Sequence, residues 1–228
     1  MERVTTIFLA TLAAVLGASI PAAAQDKDRV RVSENGAVNE YSGTIKAINC
    51  NKVTAAVETP DDPKPKQRDF DADAVLEITL SSERKTDALV EGEQAYNLGN
   101  YAEAIDHFAK AVKDAGKDDV QKQLAHFLWG STAYQARQWA KAIEILRTLV
   151  KEMSDSWYCE KAFKLMYDAA MANRDPGTAS AIIDEFAAAG RSKSKGGWAK
   201  MSELLKADML ENQGKAEEAG RLFGKYSR

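Results

Sequence analysis

From about residue 82 onward, apolar and small residues recur at three- and four-residue steps, whereas before it they alternate with polar ones. The first spacing is that of a buried helix face and the second that of a half-buried strand. The clearest stretch is residues 92–112, GEQAYNLGNYAEAIDHFAKAV. Tyr101, Ala104, Phe108 and Ala111 share one helix face, Gly92 is a small residue in the helix before, and Gly99 stands at the turn. Asn100 and Glu103 have capping-box-like spacing for the start of the second helix. The stretch therefore predicts a helical hairpin with one apolar side, and that side needs a neighbour.

The neighbours are legible. Ala142 lies 38 residues after Ala104, with Trp139 in place of Tyr101, Leu146 in place of Phe108 and Gly130 in place of Gly92, while Arg137 replaces the turn glycine. Ala179 follows 37 residues later with Ile183 and Phe186 as core residues, and here Tyr167 stands where glycine stood, which predicts wider helix spacing. Asp175-Pro176 is a good N-cap and first-turn pair. Ala219 is 40 residues further on, with Gly214 at the turn, Phe223 and Tyr226 in the core, and a final helix polar on its outer side. The extra length falls in residues 190–197, GRSKSKGG, which read as a flexible connection. Ser82 is the expected N-cap of the first helix, which runs to about Leu98.

This pattern resembles the tetratricopeptide repeat, whose period is about 34 residues. The units fall at about 82–116, 118–153, 157–189 and 197–228. The resemblance implies an αα-hairpin repeat superhelix, so that the fold class is mainly α, and α+β overall once the preceding segment is counted. It also implies that the first helix of each pair lines a concave groove for an extended peptide or a partner helix. The matching positions are Leu89, Glu93 and Tyr96, then Phe127, Ser131 and Tyr134, then Lys164, Asp168 and Met171. Each set has four- then three-residue spacing and so lies on one helical stripe. The asparagine and lysine set that clamps a C-terminal carboxylate in chaperone-binding members is missing at the matching places.

Ahead of the repeats, residues 41–48 and 53–58 alternate as two strands of a hairpin, with turn chemistry at residues 49–52. Val75, Leu76, Ile78 and Leu80, with Phe70 before them, suggest a third strand, and residues 71–73 a kink or short turn. Residues 60–68, PDDPKPKQR, read as an exposed loop because three prolines remove donors. The expectation is a small three-stranded, SH3-like module over residues 40–81, preceded by a mobile leader at 25–39 that admits a short strand at 30–32. Such a module either caps the repeat stack or offers a second docking surface.

Residues 7–20 are an almost unbroken apolar run that follows Arg3, and Ala22-Ala23-Ala24 precedes Gln25. This is a signal peptide, residues 1–24, with cleavage expected after Ala24. The run is shorter than the ~20 residues that a membrane span requires, and no other stretch is a candidate span, so the mature chain is expected in the periplasm or outside the cell. No cysteine stands at the cleavage site for a lipid anchor. An oxidising compartment permits one bridge between Cys50 and Cys159, the other reading being two semi-buried thiols. A bridge would pin two domains together.

Charge changes the picture little. Thirty-one Lys and Arg against 34 Asp and Glu leave a net charge of −3, which does not announce a nucleic-acid surface. Arg191, Lys193 and Lys195 read as a solvated charge run, and Trp198 as closing onto the fourth hairpin. His107 is expected to face outward and His126 inward, neither with metal-ligand spacing, and no C-x-x-C, G-x-S-x-G or phosphate-loop motif occurs. Neither a cofactor nor a metal is implied. The expected function is that of an exported, non-enzymatic interaction scaffold with a protein or peptide in its groove. The other reading is a cell-envelope structural protein whose β module contacts glycan or membrane while the helices act as a spacer.

Overall fold

Asn35 and Gly36 both take left-handed backbone angles, φ 53° and 78°, the geometry of a tight hairpin turn whose twist matches that of the flanking strands. They join β1 (Asp28–Glu34) to β2 (Ala37–Ile48), paired from Glu34↔Ala37 to Asp28↔Gly43. The supposed mobile leader is thus a full strand from Asp28 on. Val30 and Val32 alternate with Arg29, Arg31 and Ser33, and the two valines are buried. The computed structural model describes residues 27–59 and 62–225. The expected signal peptide with its cleavage after Ala24 and the expected core position Tyr226 lie outside these residues.

β3 (Lys52–Thr59), β4 (Asp62–Asp71) and β5 (Val75–Thr79) complete a five-stranded antiparallel sheet in the order β4-β3-β2-β1-β5. Two corrections follow. The sheet has five strands and two edges in place of three strands in an SH3-like arrangement, and most of the proline-rich segment is strand, not loop. Pro63 and Pro65 are compatible with β4 because it is an edge, where one side of the backbone has no ladder partner to lose. The expected turns do form. Asn49 Oδ1 accepts the N–H groups of Asn51 and Lys52 at 2.9 Å, and Asp71 Oδ1 accepts that of Asp73 at 3.0 Å.

Five strands are followed, among the described residues, by eight helices in a repeat-like arrangement: α1 (Asp87–Asn97), α2 (Tyr101–Asp114), α3 (Asp119–Gln135), α4 (Trp139–Glu152), α5 (Cys159–Ala172), α6 (Pro176–Ser192), α7 (Gly196–Asn212) and α8 (Ala216–Gly224). The hairpin turns share one design. Gly99, Arg137, Arg174 and Gly214 have φ of 79°, 59°, 57° and 77°. The next N–H in each case reaches back to a carbonyl of the finished helix: Asn100 to Ala95, Gln138 to Ala133, Asp175 to Ala170 and Lys215 to Leu210, all at 2.9 Å. Such bonds satisfy carbonyls that a helix end would otherwise leave without a partner. Five residues after each turn residue comes an alanine, Ala104, Ala142, Ala179 or Ala219, at most 2% exposed. Small residues also set the crossings, since a Cβ on Gly92 would stand 2.7 Å from the Phe108 ring and one on Gly130 2.5 Å from Leu146.

Some helix ends differ from expectation. Thr86, not Ser82, caps α1, accepting the Leu89 N–H on its hydroxyl at 3.4 Å, because residues 82–85 form turns first. Asn100 precedes α2 without a side-chain cap, and its amide meets Glu103 only at 3.5 Å. Residues 190–197 are not a flexible connection. α6 continues to Ser192, Ser194 makes a left-handed turn at φ 56°, and Gly190 lies so close to α7 that an added Cβ would meet Trp198 and Ala199 at 3.0 Å. Trp198, expected to close onto the fourth hairpin, is instead buried against Phe186 of α6 in the third, with ring centroids 5.8 Å apart. Phe223, expected in the core, is 38% exposed, with Ala219 the buried residue of α8.

Two compact units result: one reaches Leu128 and takes in Asp155–Trp157, and the other comprises Trp129–Ser154 and the chain from Tyr158. Within the first, a buried ion network ties sheet to helices. Asp28, 3% exposed, accepts the N–H groups of Ile45 and Ser81 at 2.9 Å and the Arg84 guanidinium at 2.5 Å. The other edge of Arg84 grips Asp118 in bidentate fashion at 2.6 and 2.8 Å, and Asp118 accepts the Gln121 N–H at 3.0 Å at the start of α3. Burial opposes ionisation of Asp118, but the bonds from Arg84 and the backbone outweigh it and hold the carboxyl below its usual range. In the same unit Trp157 Nε1 donates to the Ala72 carbonyl at 3.2 Å and Ser156 Oγ to Gln123 at 2.8 Å. Cys50 in the first unit and Cys159 in the second are both buried.

Removing one member of a buried ion pair leaves the other charged and uncompensated, so Arg84→Ala lowers unfolding free energy by about 3–5 kcal/mol, measured by urea denaturation. Arg137→Gly relieves a left-handed angle that costs a residue with a Cβ about 1 kcal/mol, and raises the melting temperature.

Candidate functional site

Position on a first helix does not by itself put a side chain at the surface. In the first unit, Leu89 and Phe127 are buried in the core. Glu93 is half-buried and accepts the Lys85 ammonium at 2.7 Å. Tyr96 is half-buried, its ring tilted 56° against that of Tyr101 at 5.4 Å, and burial, then the neighbouring phenol, raise its pKa.

In the second unit Ser131 is 1% exposed, while Tyr134, Lys164, Asp168 and Met171 are all half-buried. Tyr134 repeats the arrangement of Tyr96, its ring 5.0 Å from Trp139 at 60°. These tilted pairs pack the end of one helix against the start of the next, so each tyrosine gives one side to its own hairpin and keeps the other for solvent. Burial takes Leu89, Phe127 and Ser131 away from any binding surface. Glu93 and Tyr96 remain in the first unit, and Tyr134, Lys164, Asp168 and Met171 in the second.

The second-unit set is part of a larger polar cluster. The Tyr167 hydroxyl donates to Asp208 Oδ2 at 2.5 Å, from α5 to α7. Asp208 also accepts the Asn212 amide at 3.2 Å, and Lys164 pairs with Glu160 at 2.5 Å. Desolvation, then the Asp208 charge, push the Asp168 carboxyl up from 3.8 to about 6, with Lys164 pulling the other way. Burial, then the bond to Asp208, hold the Tyr167 phenol well above its ordinary value. Burial and the Asp168 charge likewise raise Tyr134. The cluster thus carries negative charge in a poorly solvated place, with aromatic rings beside it.

Sequence reasoning missed two of its members. Asp208 could have been found, because it stands 40 residues after Asp168, the offset between Ala179 and Ala219. The groove stripe simply continues into the fourth unit. Tyr167 gave no such signal. It reads as an oversized substitute for glycine, yet its ring is 2% exposed and its hydroxyl extends to α7.

His107 faces Glu91 at 3.0 Å and Glu103 at 3.7 Å with its side chain 28% exposed, whereas His126 is buried. Among the described residues no group of three or more His, Cys, Asp or Glu is placed to hold a metal ion, and no helix is long and apolar enough to cross a membrane. A shallow pocket of about 360 Å³ in the first unit is walled by Lys46, Lys117, Arg84 and Asp118, the last two already committed to each other. No protein family matches the sequence, and no curated protein does.

A hydrogen bond to a charged group contributes about 1.5–3 kcal/mol, so Tyr167→Phe destabilises the protein by that order in urea. Unchanged stability would show that the bond from α5 to α7 carries no weight.

Proposed function

We propose that this chain is an exported, non-catalytic scaffold of tetratricopeptide-like build that holds a protein or peptide partner on the faces of α3, α5 and α7. The observation that carries this reading is the half-buried stripe of Tyr134, Lys164, Asp168, Met171 and Asp208, which keeps one repeat register along three successive first helices. Ala142, Leu146, Ala179, Ile182 and Phe186 of α4 and α6 are buried, as are Ala162, Phe163 and Met166 of α5, so both helices of a hairpin supply the core. A face of partly exposed aromatic, thioether and charged groups on a rigid support suits recognition of an extended segment, with apolar area for affinity and charge for register. The apolar run and Ala-x-Ala end of residues 1–24 support the export part of this reading, and with it a partner sought in the cell envelope.

The full-length chain captures its partner from the envelope fraction of its host, and Tyr134→Ala combined with Met171→Ala abolishes capture while helical circular dichroism stays unchanged. Capture by the double variant at the wild-type level would rule out this face.

A further inference from the structure

Among the described residues, α8 is followed by no further helix, yet it keeps residues that the other hairpins bury. Four positions after the hairpin alanine the first three hairpins carry Phe108, Leu146 and Ile183, at most 4% exposed, whereas Phe223 of α8 holds the same place and is 38% exposed. One position after the alanine the first two carry buried Ile105 and Ile143, and α8 carries Gly220, with nothing within 4 Å of where a Cβ would stand. Ala216, Gly220 and Phe223 have four- then three-residue spacing, so they form one stripe, and all three are exposed. The stripe offers an aromatic knob and, one turn away, a hole.

Charge selects what lies against it. Glu217 and Arg221 occupy the adjoining stripe, pair with each other at 2.6 Å and are 83% and 74% exposed. A second α8 running antiparallel across a twofold axis near Gly220 sets Glu217 of each copy against Arg221 of the other, and Phe223 of each over the Ala216–Gly220 hole of the other. A parallel copy would set Glu217 against Glu217. The face is therefore complementary to itself in one orientation, and an interface of that kind closes at two copies.

We propose that the exposed face of α8 is a homodimer interface, joining two copies of this chain by antiparallel packing of their α8 helices. None of the half-buried stripe on α3, α5 and α7 is contributed by α8, so the pairing holds whatever that stripe binds. Each dimer carries two such stripes.

Sedimentation equilibrium on the full chain, with no partner protein present, tests this. One helix from each copy makes a small interface, so the wild type should dimerise reversibly at concentrations below about 1 mM. Phe223→Glu should raise the dissociation constant about tenfold or more, with helical circular dichroism unchanged because the ring is already partly in solvent. Glu217→Arg and Arg221→Glu each put a single sign of charge beside the stripe, so each alone should lose self-association while a mixture of the two dimerises. Both variants lose the pair within the helix, so recovery in the mixture has no source in helix stability. A wild type that stays monomeric throughout, as when another protein's helix is the occupant, overturns the proposal. So does a dimer that persists unchanged in Phe223→Glu, or assembly beyond two copies.

Discussion

A left-handed turn residue followed five positions later by a fully buried alanine is the constraint on which the helical part of this protein depends. The turn reverses the chain and closes the helix end with a backbone hydrogen bond, and the alanine lets the returning helix approach closely. Short helices are marginal alone in water, so their stability comes from this packing and not from helix propensity. Glycine meets the turn requirement without strain at Gly99 and Gly214, while Arg137 and Arg174 meet it with strain, and the geometry is the same in all four. Backbone hydrogen bonding therefore dictates the turn, and residue preference only modulates its cost.

The sheet depends on a different interaction. An open sheet of five strands is small for an independent core, and its Asp28 carboxylate is buried where an unbalanced charge would be costly. Arg84 supplies the opposite charge and carries it on to Asp118, where it reinforces the N-terminus of α3. Sheet and first hairpin belong to one compact unit, tied by this network.

Features governed by local periodicity were legible in the sequence. The alanine spacing, the small residues Gly92 and Gly130, the β2–β3 hairpin and β5 all depend on patterns within a few residues or one repeat. Features governed by distant partners were not. Asp28 and Arg84 look like ordinary surface charges until the fold brings them together. The prolines of β4 signal a loop unless the strand is known to be an edge, and the charges of β1 mask the alternation of Val30 and Val32. Burial of Leu89, Phe127 and Ser131 could not be read from helix position, since the stripe that faces a groove in one repeat faces the core in another. Tyr167 was legible as a size mismatch, but not as the donor that reaches Asp208.

What unites the second unit is a line of half-exposed groups held in register by the buried residues of both helices of each hairpin, and its importance rests on whether a partner lies against it. A photoreactive phenylalanine analogue in place of Tyr134, introduced into the full chain in its host, reads this directly, with the same substitution at His107 on α2 as the comparison. The account predicts a discrete cross-linked partner from position 134 and none from position 107. Cross-linking from position 107 alone would contradict it.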